Sequence, residues 1–280
     1  MNKELLIRVV TDARGCPFYR ITRLSPSSYR VWFGVDRQFV ISPHLPLDHP
    51  HIITWKAWPP KDKRLARHYQ HNHIRPLIKS WKGALVLHAS SVANQLGCFG
   101  FFGKSGVGKS TVAAHFSQKS SLESWGDDWL ELIQTNSGFI SMRNPSCTRL
   151  KPSHAIQLEK ADLFTTIGKR PSATSDKFEY VPKQGKISEK LKPLSALFFL
   201  NPTGEVESPS LQRMAPAHAF SSLCQHLFRL DTKNPAHLYR EFHQLSELTQ
   251  TVPVFNLSYP HSLKQLSSLR NLLEQHLDFS

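Results

Sequence analysis

Acidic side chains are scarce in this chain: 21 Asp and Glu stand against 35 Lys and Arg over 280 residues, a formal net charge of +14. Such a field attracts polyanions and says nothing about fold. Cysteine is scarce too. Cys16, Cys98, Cys147 and Cys224 lie far apart and none forms a Cys-x-x-Cys pair, which excludes a disulfide framework and a zinc knuckle. No apolar run approaches the roughly 20 residues that a membrane-spanning helix needs. The stretch Met1 to Arg8 has too short an apolar core for a secretory signal. The chain therefore reads as a soluble, cytoplasmic protein with no membrane partner. It lacks internal repeats, an Asn-Lys-x-Asp run and a Leu-Ser-Gly-Gly-Gln run. The missing motifs argue against a guanine-specific GTPase and a transporter-type ATPase.

What is present is a glycine-rich run, Gly103-Lys104-Ser105-Gly106-Val107-Gly108-Lys109-Ser110, which meets every fixed position of the phosphate-binding pattern G-x-x-x-x-G-K-[ST]. The apolar stretch Cys98 to Phe102 ahead of it reads as a buried strand. Thr111 to Phe116 behind it reads as the first turns of a helix. That context is what the mechanism requires: glycines let backbone N–H groups wrap a phosphate chain, and a helix N-terminus adds partial positive charge. Gly103 through Thr111 then bind the phosphates of a nucleoside triphosphate, Lys109 reaches the outer ones, and Ser110 holds Mg²⁺.

The pattern divides the chain at about residue 78. Residues 1–78 read as β-rich, with strands at Leu5 to Val10, Tyr29 to Phe33 and Gln38 to Ile41. A Pro- and His-rich connector follows from Ser42 to Pro60, then a helix from about Lys63 to Ile78 with a kink at Pro76. Residues 79–280 read as the nucleotide-binding domain, with strands at Ala84 to Leu87, Ser91 to Ala93, Gly138 to Met142, Leu194 to Leu200 and Val252 to Leu257. A largely helical C-terminal third carries a leucine stripe from Leu263 to Leu277. The cations between Arg37 and Lys82 suit a plain solvated surface or an acidic protein or peptide substrate better than nucleic acid, since no nucleic-acid-binding motif accompanies them. Lys63, Arg64 and Arg67 are the natural candidates for recruiting such a substrate. His68, His71 and His73 sit among Arg67 and Arg75 and read as a basic polar stretch rather than a metal tract.

Two further features narrow the chemistry. His88 ends a strand, and the pair Asp127-Asp128 follows Ser110 by 17 and 18 positions. Paired carboxylates near a phosphate loop can hold Mg²⁺ and take a proton from a hydroxyl. An ordinary turn is the plain alternative for the pair, and a packed core histidine for His88.

The run Leu87-His88-Ala89-Ser90-Ser91-Val92-Ala93, the glycine-rich loop and Gly126-Asp127-Asp128 together resemble HPr kinase/phosphorylase and its relatives, including kinases of lasso-peptide precursors. The resemblance is best over residues 64–150. It implies an α/β fold with a P-loop kinase core on a mixed sheet, like that of phosphoenolpyruvate carboxykinase. It implies a phosphotransferase acting on an alcohol group, with ATP and Mg²⁺, Lys109 stabilising the transferring phosphoryl group and Asp128 taking the proton of a substrate serine. Asp127 and His88 support Asp128, Ser110 and Asp127 ligate the metal, and Arg149 resembles an arginine that enters the site. The stretch Met142 to Pro152 has neither the glycines nor the magnesium-binding glutamate of the family. Phosphorylase activity and HPr itself are therefore not carried over. A kinase of a small-molecule hydroxyl and an ATP-responsive module without transfer chemistry remain open alternatives. So does a homo-oligomer.

Overall fold

The computed structural model describes residues 4–11, 15–34, 37–59, 63–117, 122–144, 148–151, 164–166, 177–182, 189–260, 262 and 265–276. Cys147 and the stripe ends Leu263 and Leu277 lie outside them. The chain forms two compact units, residues 1–86 with 228–243, and residues 87–227 with 244–280. No helix among the described residues is long and apolar enough to cross a membrane.

The first unit is an antiparallel sheet in the order β1-β2-β3-β4-β5: β1 Leu5–Thr11, β2 Pro17–Ser25, β3 Ser28–Phe33, β4 Arg37–Ile41 and β5 Ile53–Lys56. Period-2 alternation sends Tyr19, Ile21, Tyr29, Val31, Phe33, Phe39 and Ile41 to one face, where all are buried. They share a core with Ala66, Ile74, Leu77 and Ile78 from the helical segment. The expected connector Ser42 to Pro60 is corrected by β5. Its residues are too few and too interrupted to announce a strand, and pairing with β4 supplies the backbone bonds instead.

The expected helix spans α1 (Lys63–Tyr69), a π-helical turn (Gln70–Ile74) and α2 (Arg75–Trp81). Arg75 N–H bonds to Gln70 O, the wider π register. The irregularity thus falls one turn ahead of Pro76, which sits in the first turn of α2. Proline cannot continue an i→i−4 ladder, and a wider turn upstream absorbs the mismatch. The chain leaves this unit within β6 (Leu85–Leu87) and returns at Phe228, whose N–H bonds to Val86 O. The returning segment adds Leu230 to the core, and its Asp231 accepts from Tyr29 Oη at 2.8 Å and pairs with Arg23. Burial and the neighbouring carboxylate push the Tyr29 phenol up to about 12. A linear division at residue 78 does not anticipate this return.

The second unit is built on a mixed sheet of β7 (Ser90–Ala93), β8 (Cys98–Phe102), β9 (Glu123–Gly126), β10 (Leu130–Thr135), β11 (Gly138–Met142), β15 (Leu191–Thr203), β16 (Ser210–Arg213) and β17 (Val254–Pro260). The core order β10-β11-β15-β8-β7-β9 has β17 paired with β15, and β16 with β17. Strand β15 runs parallel to both β8 and β17, while the β7–β8, β7–β9 and β10–β11 pairings are antiparallel. Helix α3 (Lys109–Phe116) buries Val112, Ala113 and Phe116 in one cluster with Phe101, Phe198 and Leu257 of the sheet, and with Leu266, Leu269 and Leu273 of α6 (Leu266–His276). The C-terminal third also holds α4 (Pro216–Cys224) and α5 (Pro235–Thr251). Strands β15 and β17 fall on the two strands expected there, Leu194 to Leu200 and Val252 to Leu257, and β16 is the addition that the sequence did not announce. A small sheet, β12 (Thr148–Leu150), β14 (Phe178–Pro182) and β13 (Phe164–Thr166), sets Leu150 and Tyr180 against Ala114 of α3.

Candidate functional site

Strand β8 delivers the glycine-rich loop and α3 carries it onward. Three glycines of the loop, Gly103, Gly106 and Gly108, hold positive φ. Gly103 has φ +140°, and a Cβ there would lie 2.9 Å from Val107 Cγ1 and 3.3 Å from Leu200 O. Gly108 has φ +105° and is the residue preceding α3, where the left-handed backbone turns the loop into the helix. No side chain caps that helix start, although Val112 N–H already bonds to Gly108 O at 2.8 Å. Gly108, having no side chain, supplies the first N–H groups of α3 with no cap of the usual Ser, Thr or Asp kind.

Lys109 is buried at the head of α3 and donates from Nζ to Gly103 O at 3.0 Å and Lys104 O at 3.3 Å. The ammonium bridges the ends of its own loop. Burial pulls its pKa down, and the carboxylates of Asp127 and Asp128 oppose that shift.

Asp127 and Asp128 occupy the turn between β9 and β10, and both are buried. Asp127 Oδ1 accepts from Ser110 Oγ at 2.9 Å and from Ser90 Oγ at 2.5 Å, while Oδ2 accepts from the Arg149 backbone N–H at 3.3 Å. Burial and then the Asp128 charge raise its pKa, and the hydroxyl bonds counter this. Asp128 holds φ +68°, one of two non-glycine residues with positive φ among the described residues. Aspartate is among the few non-glycine residues that adopt this region, at a cost below the roughly 1–2 kcal/mol of other side chains, which the surroundings offset. Here they do so from both ends. His88 Nδ1 lies 2.7 Å from Asp128 O, and Arg149 Nη2 lies 2.5 Å from Asp128 Oδ1.

The carbonyl of Asp128 can only accept, so Nδ1 of His88 carries a proton and the neutral ring keeps the lone pair of Nε2. Burial, followed by the Lys109 charge, lowers the His88 pKa. The support His88 gives Asp128 thus passes through the backbone carbonyl.

The structure brings His88, Lys109, Ser110, Asp127, Asp128 and Arg149 into one connected set, and places Gly103 to Thr111 beside it. Three contributors carried no signal in sequence. Ser90 lies in the run Leu87 to Ala93, but its bond to Asp127 spans 37 positions. His226, pushed down to about 4 chiefly by burial, accepts from His88 N–H through its carbonyl at 2.7 Å and packs against Phe102 and Phe199. Lys177, preceding β14, joins Arg149 as a positive charge that opposes protonation of Lys109. No group of three or more His, Cys, Asp or Glu side chains able to hold a metal occurs among the described residues.

The raised pKa of Asp127 has a testable sign. Its ionised form is disfavoured in the folded state, so the penalty is absent below the unfolded carboxylate range of about 3.9 and grows as pH rises through the folded value. Asp127→Asn keeps a carbonyl acceptor for both hydroxyls and gives up the long contact from Arg149. At pH 7, without ligand, its melting temperature is expected to exceed the parent's. The difference closes toward pH 4. A variant less stable than the parent at pH 7 refutes this account.

Among solved structures, the chain is similar to the Hpr(Ser) kinase/phosphatase from Coxiella burnetii, at 11% identity and a TM-score of 0.34, covering 68% of this chain and 95% of that one. A likeness so distant places no residue. No protein-family model and no curated protein matches the chain.

Proposed function

We propose that this chain is an ATP-dependent kinase that passes a γ-phosphoryl group to a serine hydroxyl of a protein or peptide. The observation that carries the reading is the convergence of a glycine-rich loop, its lysine and serine, and a buried aspartate pair fixed by His88 and Arg149. The sequence resemblance to HPr kinase/phosphorylase points the same way.

The donor set suits Mg²⁺. The Ser110 hydroxyl and the Asp127 carboxylate are hard oxygen ligands that already meet at 2.9 Å. Magnesium commonly takes one or two protein ligands and fills its shell with water and phosphate oxygens. Bound there, it neutralises charge on the phosphates. Backbone N–H groups of the loop and of the α3 start hold the phosphate chain. Lys109 exchanges its two carbonyl acceptors for phosphate oxygens. Asp128 accepts the proton of the acceptor hydroxyl as its oxygen bonds to the γ-phosphorus and the bond to the β-phosphate oxygen breaks, releasing ADP. Arg149 and Lys109 stabilise the negative charge spread over the transferring group.

The test incubates the protein with γ-labelled ATP, Mg²⁺ and a lysate of its own host, beside Asp128→Asn. Label on one protein or peptide, absent with the variant, is the expected result. Label that appears only on a metabolite assigns a small-molecule acceptor. ATP that binds without any labelled product overturns the kinase reading.

A further inference from the structure

The outer face of the first unit's sheet carries a row of side chains that the proposed phosphoryl transfer leaves unused. Register aligns Val9, Arg20, Trp32, Gln38 and Lys56 across β1 to β5, on the side opposite the buried Ile21, Val31 and Phe39. Arg20 and Lys56 are exposed, and neither has an ion pair among the described residues. The next row on the same face is Leu6, Thr22, Arg30, Val40 and Thr54. It already holds a carboxylate: Glu4 accepts from Thr22 Oγ1 at 2.9 Å and pairs with Arg30. One row of this face thus binds an acid from its own chain, while its neighbour presents two cations with none among the described residues.

We infer that the Arg20–Trp32–Lys56 row is a docking surface for an acidic segment of the protein or peptide substrate. The inference rests on the kinase reading only for the identity of the partner, since docking itself needs no catalysis. Arg20 and Lys56 are three strand spacings apart, about 14 Å. An extended peptide rises about 3.3 Å per residue, so acidic residues about four positions apart match the two cations. The guanidinium carbons of Arg20 and Arg30 lie 4.7 and 5.4 Å from the Trp32 ring centroid. Both arginines rest on the indole, which holds their cations in place and takes up the surface on which a nucleobase would stack. That arrangement favours a carboxylate partner over single-stranded nucleic acid. It also shifts the recruiting residues from the helix cations Lys63, Arg64 and Arg67 to the sheet face.

The experiment measures binding of a fluorescent peptide with Glu residues four positions apart to the full chain, without ATP, at two salt concentrations. Arg20→Glu/Lys56→Glu is expected to weaken binding at least tenfold at the lower salt. Lys63→Glu/Arg67→Glu, with the same change in net charge, is expected to change it less than threefold. Equal losses in both variants mean bulk charge and overturn the inference, as does no loss in the first. A thymidine oligonucleotide that outcompetes the peptide overturns it in favour of nucleic acid. Arg20→Gln/Lys56→Gln serves as the second variant, since it removes the cations without placing acids beside Glu4. Because the readout is binding, a chain that fails to transfer phosphate but binds the peptide separates this surface from the kinase reading.

Discussion

Asp128→Asn lowers kcat at least about 10³-fold while ATP affinity stays within about threefold. A positioned general base contributes typically 10²–10⁴. Asparagine keeps the size of the side chain and is among the few residues that tolerate a left-handed backbone. The turn at φ +68° and the His88 bond to its carbonyl therefore survive the change. What is lost is the proposed proton acceptor and the charge facing Arg149. Steady-state phosphorylation of the labelled acceptor, with ATP binding by calorimetry, reads both quantities. A variant within tenfold of the parent in kcat removes Asp128 from the role of base.

The second large effect is at Lys109. Lys109→Met is expected to lower kcat/KM for ATP at least about 10³-fold, because the proposed mechanism sets the buried ammonium against the outer phosphates. Burial already lowers the pKa of this lysine, so its charged form opposes folding at every pH below its folded value. Methionine fills similar space without that charge. The melting temperature of the variant without ligand is therefore expected to equal or exceed that of the parent at pH 7. That pairing separates a lost phosphate contact from a damaged fold. Activity retained within tenfold would falsify the assignment of Lys109.

The glycine-rich loop was legible because its requirements are local. The positive φ values at Gly103, Gly106 and Gly108 and the lysine and serine that follow occupy adjacent positions. Strand β8 and helix α3 were legible for the same reason, each having a continuous apolar or helical run beside the loop. The carboxylate pair could be read as a pair, but not its partners. Ser90 and Arg149 reach it over 37 and 21 positions, by way of sheets whose pairing no short pattern encodes. Strand β5 was hidden among prolines and histidines because its bonds come from β4 rather than from its own residue preferences. The return of residues 228–243 to the first unit was hidden for a related reason. Leu230 and Asp231 look like ordinary loop residues until Arg23 and Tyr29 are placed beside them.

That return bears on how the protein is made. The first unit needs Leu230 for its core and Asp231 for its ion pair, so its early strands leave the ribosome long before their partners exist. At roughly 5–20 residues per second, the 141 residues 87–227 that separate its two parts take about 7–28 s to synthesise. During that interval Arg23 lacks its carboxylate and the half-built sheet offers apolar surface to chaperones. Synthesis speed across the intervening segment thus becomes a determinant of yield.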